Sequence, residues 1–72
     1  MKLNYYPDTD SLYIDLSSKT SVDSKEISPG IVLDYDSNGD LSGIDIDNAS
    51  RKLDLKDIVI NHVPAEVHIK SA

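Results

Sequence analysis

Leu3 and Tyr5, followed by Leu12, Ile14 and Leu16, alternate with polar residues at a period of two, the pattern of strands that bury one face. Pro7-Asp8-Thr9-Asp10 lies between the two runs. Proline presets φ there and aspartate can hydrogen-bond its own backbone, so the segment predicts a four-residue turn. Pairing Tyr6 with Ser11 sets Tyr5 opposite Leu12, Leu3 opposite Ile14 and Lys2 opposite Asp15. That register gathers the aliphatic residues on one face, and an opposite-charge cross-strand pair adds about 0.2–1 kcal/mol.

Residues 17–26 are polar, with Val22 the lone aliphatic. They predict a loop, or a charged edge strand that discourages pairing with another molecule. Ser28-Pro29-Gly30 is a turn signal that restarts the chain. The following stretch, IVLDYDSNGDLSGIDID over Ile31–Asp47, supports two readings. As spacing it is D-x-D-x-N-G-D-L-x-x-x-D, close to an EF-hand calcium loop with Asp34, Asp36, Asn38 and Asp45 as oxygen ligands. As periodicity it is two strands joined by Asn-Gly, the dipeptide favoured in type I′ hairpin turns.

A two-residue turn at Asn38-Gly39 pairs Ser37 with Asp40, Asp36 with Leu41, Leu33 with Ile44 and Ile31 with Ile46. Ile31, Leu33, Tyr35, Ile44 and Ile46 then share one side, with Val32, Asp34, Asp36, Leu41, Gly43 and Asp45 on the other. A slip of one residue would mix the isoleucines among the acids. The flanks alternate like strands where an EF-hand needs helices, and the last ligand position holds Asp rather than a bidentate Glu. The hairpin is the favoured reading.

Asp47 or Asn48 can cap a helix over Ala49-Ser50-Arg51-Lys52-Leu53. Beyond it, Leu55, Ile58, Val59, His62 and Val63 fit helical spacing with Pro64 as a stop, yet Ile58-Val59-Ile60 reads equally well as a strand. Ala65, Val67 and Ile69 alternate with polar neighbours and suggest a short final strand. The expected architecture is a single α+β domain over residues 1–72: a small antiparallel sheet of two β-hairpins with a C-terminal helix packed on one face.

Seventy-two residues allow one core, worth roughly 3–5 kcal/mol of net stability. The absence of cysteine excludes disulfides and a cysteine-based zinc site. Net charge is −6, and residues 1–47 carry ten acids against Lys2, Lys19 and Lys25. Such a surface disfavours direct nucleic-acid binding and suits a cationic protein partner or a cation. No apolar run approaches a membrane span and no signal-peptide pattern opens the chain, so the expectation is a cytoplasmic protein away from the membrane.

Tyr6-Pro7-Asp8-Thr9-Asp10-Ser11-Leu12-Tyr13-Ile14 resembles a Y-D-P-E-A-D-A-L-Y-I hallmark. Ser28-Pro29-Gly30-Ile31-Val32-Leu33-Asp34-Tyr35-Asp36 resembles E-P-G-V-I-L-D-Y-D, and Leu41-Ser42-Gly43-Ile44-Asp45-Ile46 with Asn48-Ala49-Ser50 resembles L-V-G-I-E-I-L-D-A-S. These segments are similar to the YuzE-like family of small bacterial and archaeal domains of unknown function. The likeness covers residues 1–53; Asn48 stands where the family usually shows Asp, and residues 54–72 lie outside the pattern. The resemblance implies a small antiparallel sheet with a helix, no established activity, and an antitoxin-like partner role by association with small toxins.

No residue set asks for catalysis or a cofactor. His62 and His68 are six apart without a ligand constellation, and neither Ser11 nor Ser50 sits in a Gly-x-Ser-x-Gly elbow. A two-metal site on the acids would need a concavity that a bare sheet face lacks. Tyr5 and Tyr35 fall on the aliphatic side and are expected in the core. Tyr6 and Tyr13 fall on the other side near Val32 and Leu41, a half-apolar face that the C-terminal segment or a second subunit should cover. The expected function is therefore a non-enzymatic protein-binding domain, antitoxin-like toward a small basic partner or self-associating as a homodimer. Tyr6, Tyr13, Asp34 and Asp36 are its candidate contact residues. The alternative is a weak calcium or other divalent-cation site on Asp34, Asp36, Asn38 and Asp45.

Overall fold

The computed structural model describes residues 1–61 and Pro64. Its strands are β1 (Lys2–Tyr6), β2 (Ser11–Asp15), β3 (Asp23–Ser28), β4 (Ile31–Tyr35) and β5 (Leu41–Ile46), followed by one helical turn, α1 (Ala49–Lys52). They form one antiparallel sheet in the order β1-β2-β5-β4-β3. The first hairpin has the register that alternation predicts, from Lys2 opposite Asp15 to Tyr6 opposite Ser11. β5 then pairs with β2 so that Leu12 meets Ile46 and Ile14 meets Ile44, which keeps aliphatic residues on one side across the join.

Two hairpins are too few to describe this sheet. Asp23–Ser28 pairs with β4 as its edge strand, with Lys25 opposite Leu33 and Glu26 opposite Val32. The physical reason is the backbone of β4, whose outer carbonyls and amides need partners once β5 occupies the inner side. Pro29-Gly30 supplies the reversal, with Gly30 at φ 75°. Ile27 is the extra residue of a bulge between Glu26 and Ser28.

The Asn-Gly turn also differs from expectation. Type I′ needs positive φ at both central residues, but only Gly39 has it, at 82°; Asn38 does not. Gly39 N–H donates to the Asp36 carbonyl (3.0 Å) and Asp36 N–H to the Asp40 carbonyl (2.8 Å), which closes a three-residue loop over Ser37-Asn38-Gly39. Asp36 holds that loop from inside: its Oδ1 accepts from the backbone N–H of Asn38 (2.9 Å) and Asp40 (3.0 Å). The longer loop shifts Leu41 to a place opposite Tyr35, and a bulge at Ser42 shifts the pairing back, so Leu33 still meets Ile44 and Ile31 meets Ile46. Two one-residue departures cancel, and the apolar side survives.

The helix is a single turn rather than a packed C-terminal helix, so the structure is mostly β and only loosely α+β. Asn48 takes the N-cap place in left-handed conformation (φ 51°) and makes no side-chain cap bond. Asp10 caps the turn instead, from 40 residues upstream. Its carbonyl accepts from Ala49 N–H (2.8 Å), and its carboxylate accepts from Ser50 N–H (3.1 Å) and Ser50 Oγ (2.6 Å). After Leu53, residues 54–61 form neither helix nor strand. Asp54 Oδ1 accepts from Lys56 N–H (3.3 Å), a local bond that competes with helix propagation, and the β-branched run that follows adds no helical preference. The predicted strand at Ala65, Val67 and Ile69, and His62, Val63 and His68, lie outside the described residues.

Leu12, Ile46 and Ala49 are the buried core, with Ile14, Ile31, Ile44 and Leu55 packed against it. Fully burying a side chain such as Leu12 contributes about 1.5–3 kcal/mol. Tyr5, expected in the core, lies on its rim at 44% exposure, while Tyr35 is half-buried. Substituting Gly39 by alanine should lower stability by about 1–2 kcal/mol in urea unfolding, because Ala resists left-handed φ. Asn38→Ala should stay within about 0.5 kcal/mol, since the loop uses only its ordinary backbone. Equal losses at both positions would restore the type I′ turn.

Candidate functional site

Strand alternation places the polar side of each strand on the face away from Leu12 and Ile46. Two cross-strand rows build it: Asn4, Tyr13, Asp45, Val32 and Glu26 in one, Lys2, Asp15, Gly43, Asp34 and Ser24 in the other. Its centre is made by a missing side chain. A Cβ on Gly43 would lie 2.6 Å from Tyr13 Cζ, so only glycine lets the Tyr13 ring lie across β5. The ring's hydroxyl thereby reaches Asp34 Oδ2 and donates to it at 2.8 Å. Ser24 Oγ donates to Asp34 Oδ1 at 2.6 Å, so one carboxylate links β2, β4 and β3.

The electrostatics follow from this geometry. The hydrogen bond to Asp34 pushes the Tyr13 phenol up to about 12, with burial and the charges of Asp34, Asp15 and Asp45 acting the same way. Asp45 is raised above the usual carboxylate range by burial first, then by Asp47 and Asp34. These acids repel one another on a shared face. Asp10, at the sheet end, is lowered by the Ser50 hydroxyl, then by Tyr5, whose hydroxyl donates to it at 2.8 Å, with Arg51 adding a smaller effect.

Tyr6, Tyr13 and Asp34 share this face as expected, Tyr6 exposed and the other two half-buried. Asp36 does not join them. It is 5% exposed and occupied by the loop backbone, so a contact role for it gives way to a structural one. For the cation reading, Asp34 and Asp45 are diagonal neighbours on the face, whereas Asp36 and Asn38 belong to the loop. Among the described residues no three acidic, histidine or cysteine side chains are grouped closely enough to hold a metal ion. Leu55 packs on the Leu12 side and Ile58 borders Leu3, Tyr5 and Leu12, so these two side chains do not cover the tyrosine face. The rest of the expected C-terminal cover, residues 62–63 and 65–72, lies outside the described residues. Leu41 leaves that face through the Ser42 shift.

Sequence reasoning missed Gly43, Ser24 and Asp10. A glycine inside an alternating strand was a usable signal, since it marks a bulge or a close approach, and here both occur side by side. Asp10 carried no such mark, because its partner Ser50 is brought near only by the folded sheet.

Tyr13 makes a pH prediction. Its raised folded value means that its contribution to stability is complete below the ordinary tyrosine pKa of 10.0 and is lost as pH rises toward about 12. Tyr5, whose hydroxyl donates to Asp10, is raised as well. The ultraviolet titration is therefore read in Tyr5→Phe, where Tyr13 should ionise later than the other tyrosines. Gly43→Ala should bring it back toward the other tyrosines and destabilise the fold by about 1–3 kcal/mol through overpacking. A late tyrosine that persists when Gly43→Ala is combined with Tyr5→Phe would contradict the arrangement.

A family model described as a protein of unknown function (DUF2283) matches residues 2–50. No curated protein and no solved structure matches the chain. No helix among the described residues is long and apolar enough to cross a membrane.

Proposed function

We propose, for a chain that belongs to the DUF2283 family of proteins of unknown function, a non-enzymatic role as a binding domain for a basic protein partner. The observation that supports this reading is the crowding of carboxylates on one sheet face. Burial first, then the charges of Asp47 and Asp34, raise the Asp45 pKa, so a negative charge on Asp45 is opposed by its surroundings. A cationic partner docked there would relieve that repulsion, and its approach would be steered by the field of a −6 chain. Tyr6 would supply exposed aromatic surface at the margin, and Tyr13 would act through Asp34 by holding the carboxylate in place.

The finer YuzE-like likeness of the opening, central and closing motifs belongs to the same reading, as do a cytoplasmic setting and an antitoxin-like role against a small basic toxin. The cation alternative draws support only from Asp34 and Asp45 lying diagonally on the face. Calorimetric titration with calcium and magnesium separates it: binding tighter than about millimolar, the weak end for such loops, would favour the ion.

Affinity capture from the native host, followed by titration of the purified partner, tests the protein-binding role. Asp15→Asn with Asp45→Asn should weaken binding by about tenfold, equivalent to ~1.4 kcal/mol, and added salt should weaken it further. Asp45→Asn alone should raise the melting temperature at neutral pH. A carboxylate whose folded pKa is raised opposes folding above its unfolded value, and this opposition fades as pH falls through the folded one. Capture of nothing, or a complex indifferent to both salt and these substitutions, would remove the proposal.

A further inference from the structure

The two edges of the sheet are built differently. β3 carries Asp23, Lys25 and Glu26 and is broken by the bulge at Ile27, all devices that discourage strand addition. β1 carries none of them between its ends. Lys2–Tyr6 runs in unbroken register against β2, is exposed along its whole length and contains no proline. Among the described residues its outer side has no strand partner. It is also the one strand of the five without an acidic residue, in a chain of net charge −6. For a second copy of this acidic protein, β1 is the place of least repulsion.

We infer that two copies of this chain associate edge to edge through β1, antiparallel about a two-fold axis at Asn4, to form a continuous ten-stranded sheet. The sequence KLNYY complements itself in that register. Leu3 of each copy lies opposite Tyr5 of the other, Asn4 opposite Asn4, and Lys2 opposite Tyr6. Directly paired residues share a face, so the Leu3 and Tyr5 pairs extend the aliphatic side across the axis. Leu3 and Tyr5 already border an apolar groove with Leu12, Leu55 and Ile58, and the second copy would continue it. On the opposite face each Lys2 ammonium meets a Tyr6 ring, a cation–π geometry, and the arrangement is isologous as a two-fold dimer requires. Five residues of edge form a small interface beside the usual 1,200–2,000 Å² of stable complexes, so the dimer is weak and concentration-dependent. This association is independent of what the acidic face binds.

Sedimentation across a dilution series, with two sets of variants, tests it. The native chain should pass from dimer to monomer on dilution. Asn4→Asp and Asn4→Lys each place like charges at the axis and should each weaken the dimer by about three- to fivefold. Mixing the two variants should restore association, which a folding defect could not do. The chain has no cysteine, so Asn4→Cys offers a second readout. Facing Cα atoms in an antiparallel pair lie about 4.5–5.5 Å apart, within disulfide reach, and Asn4→Cys should crosslink on oxidation while Lys25→Cys on β3 stays monomeric. A native chain monomeric at every concentration would leave β1 to a strand of another protein. Crosslinking through Lys25→Cys instead would put the contact on β3. Either result overturns the inference, as would failure of the mixed variants to associate.

Discussion

One carboxylate closes this fold. Asp10 ends the β1–β2 turn in a left-handed conformation, φ 52°, that aspartate tolerates better than most residues. From there it accepts from Ala49, Ser50 and Tyr5, and so ties the first hairpin, the helical turn and the rim of the core together. Ala49, with no exposed surface, and Leu55 cover Leu12 and Ile46 only because that turn is anchored. A 72-residue chain without disulfides has few other ways to hold a lid on one face of a sheet.

The opposite face obeys a different constraint. There the sheet is stitched by polar contacts from Tyr13 over Gly43 to Asp34 and on to Ser24. Those contacts fix carboxylates at short range from one another, an arrangement that opposes folding through Asp45 while concentrating negative potential where a cation or basic surface can reach it. Stability therefore resides on one face and charge on the other. Asp36, which looked like part of that charge, is spent inside the loop that joins β4 to β5.

Much of this was legible in the chain, and the reasons differ by element. Alternation and turn position together set the pairings of Leu3 with Ile14 and of Leu33 with Ile44, because a face that must be buried tolerates no slip. The turn type was not legible, since Asn-Gly serves a three-residue loop as well as a two-residue one, and the bulge at Ser42 hid the difference from the pattern. Asp23–Ser28 read as loop or edge strand because edge strands avoid the apolar alternation that identifies inner ones. Residues 54–61 answered to both helical and strand periodicity and took neither form. On the site, Tyr6, Tyr13 and Asp34 were placed on one face by period alone, whereas the Asp10 cap depends on contacts 40 residues apart that local pattern cannot carry.

The dependence of the core on Asp10 is measured most directly by amide hydrogen exchange in Asp10→Gly, which removes the carboxylate while still accepting positive φ. Ala49, Ser50 and Leu53 amides should lose protection together while β2, β4 and β5 amides keep most of theirs. The native protein should show the same selective loss as pH falls through the lowered Asp10 pKa, because a depressed carboxylate contributes above its unfolded value and is lost below its folded one. Unchanged protection at Ala49 and Ser50 would contradict that dependence, for the helical turn would then stand without the residue said to hold it.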